Sequence, residues 1–136
     1  MKKIFSTHYS AGAFNFATLL LRLAFGGTMI MAHGLDKVQN SDKYLGMFKD
    51  PFGVNDTASF WLVVFAEFLC ALFVVLGLFT RLACIPLIIA MAVAFFYAHK
   101  SNLGEGWAAF SYMMAFIILL LTGPGKLSID AAINKR

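Results

Sequence analysis

Charged side chains are scarce in this sequence. Only 13% of its 136 residues are Asp, Glu, Lys or Arg, whereas 60% are hydrophobic. A soluble domain carries roughly 25% charged residues to cover its surface, so the composition excludes that class and predicts an integral membrane protein. The net charge of +4 does not indicate nucleic-acid binding. The basic residues stand singly beside apolar runs, where they mark membrane topology.

Cysteine pairs, linkers and a cleavable leader are also lacking. Cys70 and Cys84 form no CxxC motif, and around a tight hairpin they would lie roughly 12 Å apart along the membrane normal. A disulfide needs Cα atoms within about 7 Å, so a thiol-relay enzyme is not expected. No Pro-, Ser- or Gly-rich linker divides residues 1–136, which predicts one domain. The apolar stretch after MKKIF is too long for a signal-peptide core and has no A-x-A site, so we expect it to be retained.

Long apolar stretches fill most of the chain. We predict four spans, at about 14–35, 58–79, 82–98 and 107–122. Each approaches or reaches the ~20 residues needed to cross a ~30 Å hydrocarbon core. Within lipid the backbone can satisfy its own polar groups only as a helix or a closed barrel, and four spans are too few for a barrel. The predicted fold is therefore an all-α membrane protein, a four-transmembrane-helix bundle.

The basic residues indicate the orientation of this bundle. An even number of spans puts both termini on one side, together with Lys2, Lys3, Arg81, Lys126, Lys135 and Arg136. The other side holds Lys37, Lys43, Lys49 and Lys100, which lie beside five acidic residues. The positive-inside rule then predicts that both termini are cytoplasmic.

Arg22 lies about eight residues into the first span and Glu67 about nine residues into the second. Because these spans run in opposite directions, the two side chains are predicted at similar depth, where an unpaired charge costs ~3 to over ~10 kcal/mol. An Arg22–Glu67 ion pair is the economical interpretation. The alternatives are an arginine that snorkels to the interface and a protonated, hydrogen-bonded glutamate. The pair could fix how the helices dock or anchor a ligand.

A second polar group is predicted at the opposite face. His33 and Lys37 end the first span and Tyr97 and His99 end the third, in the similar stretches MIMAHG and FFYAHK, with Glu105 close by. These side chains could be interfacial residues without a task, axial ligands of a haem, or a head-group site for a ligand such as a quinone. A haem is the least expected, because a four-span chain offers little room for a macrocycle. No local motif demands a quinone.

The order of motifs along the chain resembles one known family. The motifs are R-(x)10-H-G-(x)2-K from Arg22 to Lys37, then Glu67, GLFTR at 77–81, His99 and GPGKLSID at 123–130. Together they cover essentially the whole chain and resemble the DoxX family, with the closing GPG-x-LS-x-D as the most specific piece. The resemblance implies a four-helix protein of bacterial inner membranes, linked to quinone-dependent oxidoreduction or to redox-stress complexes as a membrane partner. It marks Arg22, His33, Lys37, Glu67, Arg81, His99 and Asp130 without assigning catalytic steps.

We therefore expect a membrane subunit or partner in quinone-linked electron transfer, with no metal site and no catalytic residue assigned. Its ligand-binding residues would be Arg22, His33, Lys37, Glu67, Tyr97 and His99. Arg81 and Asp130 would form a structural pair at the face of the termini, where Ser128 or Asp130 could cap a short C-terminal helix. The expected partners are lipid, a soluble or membrane redox protein and a further copy of the chain. The alternative is a non-catalytic scaffold or small-molecule carrier.

Overall fold

The computed structural model describes residues 3–135, and within that range the chain is all-helical with no strand. Four helices are long and apolar enough to cross a membrane, and we call them the first to fourth spans: Ala11–Gln39, Asp56–Leu76, Thr80–Ala98 and Leu103–Thr122. Two short helices complete the fold, a loop helix at Ser41–Leu45 and a C-terminal helix at Ile129–Asn134. The prediction of an all-α four-span membrane protein is confirmed.

The spans run alternately up and down, which gives the bundle two ends. The first span begins and the fourth ends at what we call the terminal end, and the long connection 40–55 lies at the loop end. The side of the membrane that each end faces stays a prediction. The core lies where all four spans meet, around fully buried Met29, Val74, Leu87 and Phe116. Leucines such as Leu62, Leu82 and Leu121 remain exposed, as lipid-facing residues do.

The hairpin between the second and third spans is closed by a glycine. Gly77 adopts a left-handed conformation (φ 71°), which costs glycine little. Its amide donates to the carbonyl of Val74 (3.1 Å) and the amide of Leu78 donates to that of Phe73 (2.9 Å). These are the two bonds of a Schellman C-cap. The second span therefore ends at Leu76, three residues before the predicted end at 79.

Several turns of the spans are π-helical rather than α-helical. Two lie in the first span, at Arg22–Gly26 and Ile30–Gly34, one in the second at Phe65–Cys70, and one in the third at Ala94–Ala98. A π-helical turn inserts one extra residue and redirects the side chains that follow, and such turns are frequent at functional sites. Arg22, His33 and Glu67 all fall within these turns, so the irregular backbone coincides with the polar residues of the spans.

Two glycines of the first span allow it to approach the second closely. A Cβ atom built on Gly34 would lie 2.5 Å from the carbonyl oxygen of Glu67, and one on Gly26 would lie 2.8 Å from a methyl group of Val75. Small residues let helices in a membrane pack backbone against backbone. The contact at Gly34 is the more stringent, because its neighbour is the backbone of the second span.

Gly34→Ala should destabilise the bundle, by on the order of 1–3 kcal/mol, because the new methyl group forces the first two spans apart. Gly27→Ala is the matched control, since a Cβ there meets nothing within 4 Å. Thermal unfolding in mild detergent measures both. Equal melting temperatures for the two variants would contradict the close contact at Gly34.

Candidate functional site

Arg22 is buried at the terminal end of the bundle and is bonded to backbone carbonyls. Its Nε donates to the carbonyl of Val74 (3.0 Å) and its Nη2 to that of Val75 (3.1 Å). Its Nη1 donates to the carbonyls of Pro124 and Leu127, both at 2.8 Å. The predicted Arg22–Glu67 ion pair is therefore wrong.

The charge of Arg22 is stabilised by the C-terminal end of the second span. The carbonyls of Val74 and Val75 belong to the last turn of the second span, where the helix dipole is negative and cations are stabilised. The guanidinium also lies against Gly77, whose added Cβ would be 3.0 Å from its Cζ. Arg22 thus joins the first span, the hairpin and the tail that follows the fourth span.

The pairing was predicted wrongly because the spans are unequal. The first span begins at Ala11 instead of the predicted residue 14, and the second ends at Leu76 instead of residue 79. The first span therefore extends beyond the second at the terminal end, and Arg22 lies level with the last turn of the second span. Glu67 lies seven residues before Val74, about 10 Å further into the bundle at 1.5 Å per residue. The alternative of an arginine that snorkels towards the interface is closer to what the structure shows, except that Arg22 reaches protein carbonyls instead of the interface.

Glu67 pairs with Lys37. The lysine Nζ lies 2.5 Å from the Glu67 carboxylate, and the two side chains are 17% and 6% exposed. Gly34 makes this contact possible, because it brings the first span against the backbone of Glu67 one turn before Lys37. Lys37 is long enough to reach inward from the end of its helix. The pair satisfies a carboxylate that would otherwise be unpaired among apolar helices.

The loop helix covers this ion pair. The Tyr44 ring lies 5.8 Å from the Nζ of Lys37, within cation–π range, and stacks on the buried ring of Phe60. Its hydroxyl donates to the carboxylate of Asp36. That hydrogen bond is the main reason why the pKa of Tyr44 lies above its ordinary value. The loop end therefore carries an ordered polar cap, built from the first span, the second span and the loop helix.

A side groove with a volume of about 340 Å³ lies between the first and fourth spans. His33 lines it, and its imidazole meets the Tyr112 ring edge-on with centroids 5.5 Å apart. The hydroxyl of Tyr112 donates to Thr28 (2.8 Å), and Thr28 donates to the carbonyl of Ala24 (2.6 Å). Trp107 and Ser111 complete the polar part of the lining. Polar groups from both spans thus line the groove, beside the apolar residues Ala24, Phe25 and Ala108.

The other residues predicted around His33 lie elsewhere. Tyr97 is 62% exposed, and the ring of His99 packs over Gly106 at the start of the fourth span. Neither lines the side groove. Thr28 and Tyr112 do, and sequence inspection missed them, although Thr28 lies only five residues before His33 in the same span. The one feature of the sequence that could have identified Thr28 and Tyr112 is that each is a polar residue inside an apolar span.

Arg81 and Asp130 also differ from the prediction. No carboxylate of residues 3–135 lies within 4.0 Å of the Arg81 guanidinium, so the Arg81–Asp130 pair is not formed. Asp130 instead accepts hydrogen bonds from the amides of Phe79 (2.8 Å) and Thr80 (2.9 Å) and so caps the third span. Ser128 caps the C-terminal helix through the amide of Ala131 (3.2 Å). Of the two alternative caps for that helix, the structure shows Ser128.

Clusters of metal-binding side chains are absent from the part of the chain that the structure describes. Nowhere between residues 3 and 135 do three or more His, Cys, Asp or Glu side chains come together as they would around a metal ion. Cys70 and Cys84 are both free and buried.

Replacing one partner of the Lys37–Glu67 pair should cost about 3 kcal/mol or more, because it leaves an uncompensated charge in the bundle. We expect Lys37→Met with Glu67→Met to be more stable than either single variant. Detergent titration of all four proteins gives the coupling energy. Additive losses would show that the two charges do not stabilise each other.

Arg22→Lys should lower stability by on the order of 3 kcal/mol, because one ammonium group cannot reach the carbonyls of the second span and those of the tail at the same time. Arg81→Lys is the matched control, an arginine without a hydrogen-bond acceptor among residues 3–135. The same unfolding assay compares them, and a similar loss in both variants would argue against the carbonyl cage.

Comparison with known proteins agrees with this architecture. An uncharacterized membrane protein of Mycobacterium tuberculosis is 33% identical to this chain over 85 residues, which is 52% of each protein. The chain thus spans about half the length of that curated relative. No solved structure matches. The model of the DoxX family matches residues 17–100, a segment that includes Arg22, Lys37 and Glu67, and the chain therefore belongs to the DoxX family.

Proposed function

We propose that this protein is a membrane subunit of a quinone-linked electron-transfer system in the bacterial inner membrane, and that the side groove between the first and fourth spans holds the quinone-type ligand. The observation that supports this proposal is the cluster of His33, Tyr112 and Thr28, which lines a groove together with Trp107, Ser111 and apolar residues. Small-molecule sites are typically apolar clefts of about 300–1,000 Å³ with a few placed polar groups, and the groove falls at the small end of that range.

This cluster offers complementary hydrogen-bonding groups for both the quinone and the quinol form of such a ligand. Thr28 and Tyr112 already use their hydroxyl hydrogens, at 2.6 and 2.8 Å. The Tyr112 oxygen is left as an acceptor for a quinol hydroxyl, and so is the one lone pair of Thr28 that does not accept from Tyr112. The imidazole of His33 can donate to a quinone carbonyl or accept a proton. Reduction of a quinone consumes two electrons and two protons. In this proposal a partner protein supplies the electrons, and His33 carries protons.

The Lys37–Glu67 pair would support the groove indirectly. Lys37 lies one turn beyond His33 on the same helix, so its bond to Glu67 fixes the rotation of the first span. His33 then faces the fourth span rather than lipid. Arg22, Tyr97 and His99, which were expected to bind the ligand, have no part in this site.

A non-catalytic carrier or scaffold is the second candidate. A separate cavity of about 290 Å³ lies between the second and third spans under the loop residues Phe48 and Phe52, and Ser59 is its one polar side chain. A cavity of that kind could hold an apolar molecule without reacting with it. The two candidates therefore predict ligands in different grooves.

A fluorescence titration tests the quinone site. The sequence has two tryptophans, and Trp61→Phe leaves Trp107 in the side groove as the sole reporter. A short-chain quinone should quench Trp107 saturably. We expect Tyr112→Phe and His33→Leu to weaken binding roughly tenfold, because each loses a polar contact to the ligand. Tyr97→Phe is the matched control and should bind normally.

Mass spectrometry of the purified protein supplies the complementary test. A stoichiometric quinone that is present in the native protein and lost in His33→Leu would support the proposal. Unsaturable quenching, together with bulk lipid as the bound small molecule in native and variant proteins, would favour the carrier or scaffold instead.

A further inference from the structure

A polar pocket of about 460 Å³ lies at the terminal end of the bundle, away from the side groove. It is bounded by the first turn of the third span on one side and by the tail and C-terminal helix on the other. Thr80, Arg81 and Asp130 contribute its polar side chains, together with Asn134. The quinone proposal makes no use of this pocket.

The start of the third span provides donors for an anion. The amides of Phe79 and Thr80 donate to the Asp130 carboxylate. The next two amides, of Arg81 and Leu82, lie in the first turn of the helix and therefore have no intrahelical acceptor. Such a helix start attracts phosphate through its amides and its dipole. The third span has 19 residues, so its dipole is fully developed.

A buried hydroxyl without a partner points to the same pocket. Thr80 is 0% exposed, and its Oγ1 is the one buried side-chain polar atom in residues 3–135 that makes no hydrogen bond. Buried hydroxyls nearly always have a partner, so this orphan calls for a ligand atom. The Arg81 guanidinium lines the pocket beside it and has no carboxylate within 4.0 Å in the described part of the chain.

The charge around the pocket favours a negative ligand. The terminal end carries Lys3, Arg22, Arg81, Lys126 and Lys135 in the described range. Asp130 is the acidic residue at that end, and both of its oxygens already accept backbone hydrogen bonds. The surplus of cations is of the kind that attracts anionic lipid to a membrane surface.

An apolar groove leads away from the pocket along the outside of the hairpin. A cavity of about 320 Å³ shares Phe79 and Leu82 with the polar pocket and is lined entirely by apolar residues and Cys70. It shares Phe65 and Pro86 in turn with the cavity under the loop, which reaches Val93. From Leu82 to Val93 the third span rises about 16 Å. A polar pocket at the membrane surface thus continues into an apolar track of acyl-chain length.

We propose that this composite site binds an anionic phospholipid, with the phosphate against Thr80, Arg81 and the start of the third span, and an acyl chain in the groove. Arg81 donates to the phosphate oxygens through the bidentate hydrogen bonds that arginine commonly forms with phosphate. The Thr80 hydroxyl gains its missing acceptor. The lipid covers the seam between the second and third spans.

Native mass spectrometry of the delipidated full-length protein tests the site, with phosphatidylglycerol and phosphatidylcholine as probes. The native protein should bind one phosphatidylglycerol in preference to phosphatidylcholine. Arg81→Gln should weaken this binding about tenfold, and Thr80→Val should weaken it to a smaller degree. Lys126→Gln removes the same charge from the same end but outside the pocket, and should change binding by no more than about twofold.

Melting temperatures establish that each variant is folded before it is compared. Leu82→Ser keeps the phosphate donors and interrupts the groove, so it should weaken lipid binding as well. Equal losses for Arg81→Gln and Lys126→Gln would overturn the proposal in favour of diffuse surface attraction. Displacement of the lipid by millimolar inorganic phosphate, or equal binding of both lipids, would also overturn it.

Discussion

The bundle depends on a buried cation, Arg22, that has no carboxylate within bonding distance among residues 3–135. Arg22 is 2% exposed, and its guanidinium is shared among carbonyls at 2.8 to 3.1 Å from two separate parts of the chain. Planar, forked donors suit this arrangement, because each nitrogen can serve a different carbonyl without reorientation. An apolar side chain at this position would leave the last turn of the second span and the tail with carbonyls that lipid cannot satisfy. The first span is thus tied to both.

The two ends of the bundle solve the problem of polar groups differently. At the terminal end, backbone dipoles and caps compensate charge, with Arg22 on one helix end and Asp130 on another. At the loop end, opposite side-chain charges meet directly in the Lys37–Glu67 pair beneath Tyr44. Gly34 is needed for that pair, since the helices must touch before the side chains can. The side groove and the polar pocket, the two proposed ligand sites, share no lining residue.

The sequence predicted the membrane-spanning helices well, but it predicted the hydrogen-bonding partners of the charged residues poorly. The apolar lengths predicted all four spans, and the fourth ends at Thr122 as predicted, before Gly123 with φ 83°. The charged residues within the spans were correctly suspected, but both predicted ion pairs were wrong. Their partners depend on the register between helices, and each π-helical turn changes that register by one residue. A carbonyl acceptor also leaves no trace in the sequence, because every residue has one.

The tail has a consequence for how the chain assembles during synthesis. The amides that open the third span are capped by Asp130, fifty residues later, and half of the acceptors of Arg22 lie at Pro124 and Leu127. While the ribosome is still making the fourth span, the first three helices carry an unfinished helix start and a partly unsatisfied arginine. Local and sub-global opening is then inexpensive. Pro124, Leu127 and Asp130 therefore complete the hydrogen bonds of Arg22 and of the third span only after the fourth span has been made.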